Sequence, residues 1–188
     1  MSLKHAILGF LSYQSLSGYD LKKAFDRSVQ HFWPANQSQI YRTLADMKDE
    51  GLVEHEVIVR EERLDMKIYH ITPAGTQELH RWLSAPLPPA DYREPFLIQL
   101  YFGGNISDEE LIEVLKQRIR IIEEKLGVFL SVYPTYQEKL KTHEDKRAYF
   151  LNLAPMEYGI HNGFSLLEWY RNMISRLESK DYTLKDFQ

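Results

Sequence analysis

The 188 residues carry 23 Lys and Arg against 27 Asp and Glu, a formal charge of −4, which argues against bulk, sequence-blind attraction to polyanions and leaves any such contact to locally placed charge. With 44% hydrophobic and 27% charged residues the chain has the composition of a soluble globular protein, and with no cysteine it has neither disulfides nor thiolate metal sites. No apolar run is long enough to cross a bilayer and the amino terminus lacks a signal-peptide layout, so no membrane association and a cytoplasmic location are expected.

Ser2 to Tyr13 carries Leu3, Ile7, Leu8, Phe10 and Leu11, which predicts a helix buried over a wide face. "SLSG" (Ser15 to Gly18) breaks it. Tyr19 to Val29 turns Leu21, Ala24 and Phe25 inward and Lys22, Lys23 and Arg27 outward, a second helix. "NQSQIYRTLADMKDEGLVE" (Asn36 to Glu54) holds a third. Asn36 or Ser38 caps its start, Ile40, Leu44 and Met47 form its apolar stripe, and Gly51 suits the left-handed residue just past its end. After Gly51 the period becomes two. Val53, His55, Val57 and Val59 share one side of a strand, with Glu54, Glu56, Ile58 and Arg60 on the other. Glu61 to Met66 make a polar tip, and "KIYHI" (Lys67 to Ile71) returns. Thr72 and Pro73 then start a helix that runs to about Ser84. Three helices, a hairpin and a helix are the order of a winged helix-turn-helix.

"APLPPADYREP" (Ala85 to Pro95) has four prolines in eleven residues and reads as a linker. Phe96 to Phe102 is a short apolar helix ended by Gly103 and Gly104. Ser107 and Glu110 form a capping box before a long helix with a heptad seam: Ile112, Leu115, Ile119, Ile122, Leu126, Phe129 and Tyr133. Pro134 is expected to interrupt it, with a polar helix following from about Tyr136 to Thr142. A last long helix repeats the seam through Met156, Ile160, Gly163, Leu167, Tyr170, Ile174 and Leu177, Pro155 marking a kink or its start. Further apolar positions, among them Ile121, Leu130 and Leu166, widen both stripes beyond one seam. The expectation is an antiparallel pair packed against a second copy through Ile112, Leu115, Ile119, Ile122, Leu126, Leu167, Tyr170 and Ile174. A monomer whose helices cover each other and the first domain is the alternative. The chain thus divides into residues 1–85 (winged helix-turn-helix), 86–95 (linker) and 96–188 (helical, coiled-coil-like dimerisation domain), mainly α with a small β wing.

The polar tips on the third helix now have an explanation. In a helix-turn-helix the later helix enters the DNA major groove with its first turns. There Asn or Gln pairs with adenine and Arg with guanine. Asn36, Gln37, Ser38, Gln39, Tyr41 and Arg42 are the expected groove set, with Lys48 better placed for a phosphate. Lys22, Lys23 and Arg27, and Tyr19 at its helix start, would meet the backbone and position without reading sequence. Arg60, Arg63 and Lys67 would serve the wing, diluted by Glu61, Glu62 and Asp65. A solvated polar face is the plain alternative for each.

Other chemistries find no support. There is no phosphate-cradling Gly-rich loop, nucleophile elbow or His-Glu-x-x-His pair. His5, His31, His55, His70, His80, His143 and His161 are scattered without ligand spacing, so no metal and no cofactor are expected. Trp33, Tyr158, His161 and Trp169 are candidates for an apolar pocket suited to a planar aromatic ligand where the last helix meets the first domain, against plain packing as the alternative. A winged-helix protein–protein adaptor and a small-molecule enzyme stand as rival classes.

Several stretches together resemble the PadR family of transcriptional regulators over essentially the whole chain. They are "AILGFLSYQSLSGYDLKKAF", "SQIYRTLADMKDEGLVE", "KIYHITPAGTQEL" and the long carboxy-terminal helices; Ile40-Tyr41, Leu44, Leu52, Tyr69, Thr72, Pro73 and Gly75 form the most specific part. The resemblance implies a homodimeric repressor on a roughly palindromic operator, released by a small aromatic or otherwise hydrophobic effector. By position, Ser38, Gln39, Tyr41 and Arg42 would face the groove, and Arg63 and Lys67 would be the wing contact. The wing tip "REERLDMK" departs from the more basic turn of many relatives.

Overall fold

The computed structural model describes residues 2–59, 65–89 and 93–184. Two compact units divide it, Met1–Ala90 and Asp91–Gln188.

In the first unit α1 (Ser2–Tyr13), α2 (Gly18–Arg27) and α3 (Gln37–Asp49) converge on one core. Ile7, Leu8, Leu21, Phe25, Ile40, Leu44 and Met47 are fully buried in it and Leu11 nearly so; Leu11 stands four and three positions after Ile7 and Leu8, and the others are three or four apart within their helices, which gives each helix one apolar stripe. Each such side chain contributes about 1.5–3 kcal/mol by leaving water. β2 (Val53–Ile58) and β3 (Met66–Ile71) form the wing hairpin, with Val53 opposite Ile71 and Ile58 opposite Met66. α4 (Pro73–Ser84) follows, capped by the Thr72 hydroxyl, which accepts from the Gly75 amide at 3.1 Å. Gly51 has φ +69°, the left-handed residue that lets the chain leave α3 and turn into β2.

Three local expectations change. "SLSG" does more than break a helix. Leu16–Ser17 is a short strand, β1, pairing antiparallel with β3 so that Leu16 faces Tyr69, and the sheet order is β1-β3-β2. Two residues give no readable period, so this strand had no sequence signal. The second helix begins at Gly18 and ends at Arg27, and Val29–His31 continue as a separate 3₁₀ turn. The returning strand begins at Met66 instead of Lys67.

The second unit is helical throughout its described elements: α5 (Pro95–Tyr101), a 3₁₀ turn at Gly103–Asn105, α6 (Asp108–Thr142) and α7 (Lys146–Ser179). α6 has 35 residues, about 52 Å at 1.5 Å per residue. Ser107 and Glu110 form the capping box at its start. α7 runs antiparallel to it: Tyr182 meets Asp108 near the start of α6, Arg118 meets Tyr170, and Leu126 meets Gly163.

Pro134 does not interrupt α6, and Pro155 neither starts nor visibly ends α7, which begins nine residues earlier, at Lys146. A proline inside a helix deprives the carbonyl four residues before it of a partner. Here those carbonyls belong to Leu130 and Leu151, both at exposed positions, where water can replace the lost bond. Continuity is therefore affordable at this end of the pair.

Candidate nucleic-acid interface

α3 presents two opposite faces. Ile40, Leu44 and Met47 are fully buried, while Asn36, Gln37, Ser38, Gln39, Arg42 and Lys48 are exposed and Tyr41 is 42% exposed. The helix start is fixed by a reciprocal pair. The Asn36 side chain accepts from the Gln39 amide at 2.9 Å, and the Gln39 side chain accepts from the Asn36 amide, also at 2.9 Å. Asn36, and not Ser38, is thus the cap. The pairing matters for readout, because a bidentate contact with adenine needs the amide oxygen as well as the nitrogen. The amide oxygens of Asn36 and Gln39 each already accept one bond and are held at the helix start, which leaves their N–H donors the freer groups for a partner. Gln37, Ser38, Tyr41 and Arg42 have no such commitment among the described residues.

Tyr41 is held from behind by Gly18. A Cβ at Gly18 would lie 2.4 Å from the tyrosine Cε1, so only glycine allows the ring to rest there. Beside it opens a groove of about 760 Å³ lined by residues of α3, the β1–α2 junction and β3, among them Tyr19, Asp20, Tyr41, Asp65 and Lys67. Ser17 caps α2 by accepting from the Asp20 amide at 3.1 Å and donates its hydroxyl to the Asp20 carboxylate at 2.6 Å. Tyr19 is exposed, and the Lys23 ammonium sits 4.3 Å from its ring centroid. Lys22 forms an ion pair with Asp26 one turn on, which a phosphate would have to displace. Arg27 is exposed near the end of the same helix. Lys67 is exposed on β3, whereas Arg60 and Arg63 lie outside the described residues.

His55 links the helix to the wing. Its ring packs against Tyr69 at 5.3 Å between centroids, and its Nδ1 is buried without a hydrogen-bond partner. Burial first, then the positive charges of Lys48 and Lys67, hold its pKa below 6.5. Burial pushes the Tyr69 hydroxyl above 10, with Tyr41 adding to the shift. The sequence sets His55 only on one side of a strand, with Val53, Val57 and Val59. The Gly18–Tyr41 approach and the aromatic floor under the wing had no periodic signature.

In the second unit the heptad seam is used within the chain. Ile112, Leu115, Leu126, Leu167 and Tyr170 are buried, and Ile119, Ile122 and Ile174 half-buried, where α6 and α7 face each other. The apolar side chains left open on those helices are others, among them Ile121, Val128, Leu130, Leu151, Tyr158, Phe164 and Leu166. Tyr158 and His161 are exposed, and Trp169 meets Phe96 edge-on at 6.5 Å. None of these three lines the recess between α6 and α7, and Trp33 belongs to the first unit, 40% exposed. Among the described residues no three His, Asp or Glu side chains gather as metal ligands, and no helix is long and apolar enough to cross a membrane.

Known proteins share these arrangements. Residues 7–81 match the transcriptional regulator PadR-like family, and residues 92–178 match the virulence activator alpha C-terminal family. The chain is 32% identical to the negative transcriptional regulator PadR of Bacillus subtilis over 179 residues, 94% of each protein. The crystal structure of Bacillus subtilis PadR in complex with operator DNA superposes with a TM-score of 0.83 at 26% identity, covering 94% of this chain and 99% of that one. The same protein in complex with p-coumaric acid gives 0.75 at 27% identity, over 94% and 95%. A winged helix with an outward-facing third helix, a helical second unit, and likeness across nearly the full length place the chain in the PadR-like family of transcriptional regulators.

Proposed function

We propose that the protein is a homodimeric repressor that binds a two-fold-symmetric DNA operator and is released from it by a small aromatic effector. The observation that carries this reading is the split of α3 into a fully buried stripe (Ile40, Leu44, Met47) and an exposed polar face over its first turns. A related protein bound to operator DNA, and the same relative bound to p-coumaric acid, support the two ligand classes. Gln37, Ser38, Tyr41 and Arg42 are the proposed base-reading set, with N–H donors from Asn36 and Gln39 beside them. Tyr19, Lys22, Lys23, Lys48 and Lys67, with Arg60 and Arg63 on the wing, are the proposed backbone contacts. Exposed apolar side chains on α6 and α7 support a second copy of the chain as the partner there. Residues 1–85 and 96–188, joined by 86–95, are the proposed DNA-binding and dimerisation parts. Catalysis is no part of the reading, and the place of action is the cytoplasm.

Mobility shift on the DNA upstream of its own gene, across a salt series, tests the proposal. Phosphate contacts predict that log affinity falls linearly with log salt, by a slope near 0.9 for each phosphate neutralised. An affinity indifferent to salt, or no shift at all, would favour a protein-binding adaptor instead.

A further inference from the structure

We propose that Tyr69 is an operator contact: its hydroxyl donates to one backbone phosphate of the DNA, in the groove between α3 and the wing, with the Lys67 ammonium beside it. This deepens the DNA-binding part of the proposed function and rests on it. Tyr69 is only 6% exposed and its ring belongs to the core of the first unit, so a search for polar tips on the surface passes over it.

The ring is fixed from both sides. On β3 it stands opposite Leu16 of β1 and His55 of β2, and the His55 ring packs on it at 5.3 Å between centroids. The hydroxyl at its end has no hydrogen-bond partner among the described residues. Yet Tyr69 lines the groove of about 760 Å³ beside Tyr41, so a partner can reach it from that side. Burial pushes its pKa above 10, and at neutral pH the group keeps its proton and can donate. A DNA strand laid over the groove would take the hydroxyl out of water. Leaving it unpaired there would cost more than a typical hydrogen bond contributes.

The neighbours favour a phosphate as the partner. Lys67 lies two residues before Tyr69 on β3, shares its side of the sheet and lines the same groove. A hydroxyl and an ammonium are both donors here, and a phosphate offers charged oxygens to each. Position agrees with chemistry. Tyr41 and Ala45 of α3 form one wall and β3 the other, so a duplex that takes α3 into its major groove brings one strand over the gap. Asp20 and Asp65 line the groove as well. Asp20 turns one carboxylate oxygen to the Ser17 hydroxyl at 2.6 Å, and Asp65 is exposed with no ion pair among the described residues. Net charge therefore does not draw a phosphate to this place, and hydrogen bonding has to hold it. An organic cation on the two carboxylates is the rival occupant, which the Lys67 ammonium opposes.

Fluorescence anisotropy of the full chain with a labelled duplex from upstream of its own gene, at several salt concentrations, tests the assignment. Tyr69→Phe removes the hydroxyl alone and should weaken binding about tenfold. The salt slope should stay the same, because no charge is lost. The melting temperature of the free protein should be equal or higher, because the hydroxyl has no partner to lose; a merely structural role would lower it. Lys67→Ala should instead reduce the salt slope by about 0.9. Methylphosphonate replacement of single phosphates locates the partner. One position in each half of the duplex should cost the wild type about tenfold and Tyr69→Phe less than about twofold, the mark of two groups in contact. Asp65→Asn should bind about two- to threefold more tightly, since a like charge beside the phosphate is gone. Weaker binding by Asp65→Asn would give the groove to a cation and overturn the phosphate. Undiminished binding by Tyr69→Phe, or methylphosphonate losses as large in that variant as in the wild type at every position, would overturn the contact while operator binding stands. A duplex that the wild type does not bind would remove the DNA-binding reading and the contact together.

Discussion

Gly18 and Gly75 each stand where a side chain would collide, yet the two collisions differ in kind. At Gly18 the obstacle is the outer edge of the Tyr41 ring, which is partly exposed and can swing into solvent. At Gly75 it is the Leu52 carbonyl oxygen, 2.2 Å from the would-be Cβ and part of the backbone. Gly75→Ala is therefore expected to destabilise the first unit by about 1–3 kcal/mol in denaturant unfolding, the range for overpacking. Gly18→Ala should change stability by less than about 1 kcal/mol. It should nonetheless weaken operator binding in a mobility shift, because Tyr41 leaves the groove face. Equal stability losses in the two variants would show that Tyr41 is more firmly anchored than its exposure implies. His55 sets a pH dependence at the same scale. Its folded pKa lies below its unfolded value of about 6.5, so the folded state binds the proton less readily. The stability contribution is complete above pH 6.5 and is lost as pH falls through the folded pKa. Unfolding followed between pH 7.5 and 5 should show this decline in the wild type and a smaller one in His55→Phe. An identical decline in both would assign it to other groups.

Among the elements, the long helices carry the plainest prediction. From Phe129 against Gly159, a few steps toward the far end bring Pro134 of α6 and Pro155 of α7 to about the same level of the antiparallel pair. Both helices lose a backbone bond there. Replacing Pro134 with Ala restores one bond at an exposed position, and should raise the melting temperature with a gain of up to about 3 kcal/mol. A loss would mean that a bend at Pro134 is needed for packing. The element scale also shows what sequence made readable. Ile40, Leu44 and Met47, or Leu115, Leu126 and Leu167, announce helices because burial repeats with the helical period. Thr72 with Pro73, and Ser107 with Glu110, announce helix starts because capping is local chemistry. β1 was hidden, since its two residues are specified by pairing with a distant strand. Pro134 misled because proline costs a helix stability without always ending it, and the residues on both sides hold α6 together across the cost. The groove residues were legible as polar tips on an apolar-striped helix; the capping box that engages Asn36 and Gln39 needed side-chain geometry.

For the whole molecule, assembly and recognition are one question. Two recognition helices must stand about one DNA turn, roughly 34 Å, apart to meet successive major grooves, and only a defined dimer fixes that spacing. The α6–α7 seam is consumed inside the chain, so the open apolar side chains on those helices are the ones to test for pairing. Phe164→Glu, at a 51% exposed position, should leave the helical content intact and shift the protein from dimer to monomer in analytical ultracentrifugation. Operator affinity should fall with it. A stable dimer in that variant would move the interface elsewhere. Arg42→Ala should do the opposite, keeping the dimer and losing about 1–3 kcal/mol of specific binding. The most direct measurement is selection of bound duplexes from a random pool, run in parallel on the wild type and Arg42→Ala. A two-fold-symmetric sequence with half-sites one turn apart, enriched by the wild type and depleted or relaxed by the variant, is the expected result. No enriched sequence, or the same sequence enriched equally by both proteins, would contradict recognition through the exposed face of α3.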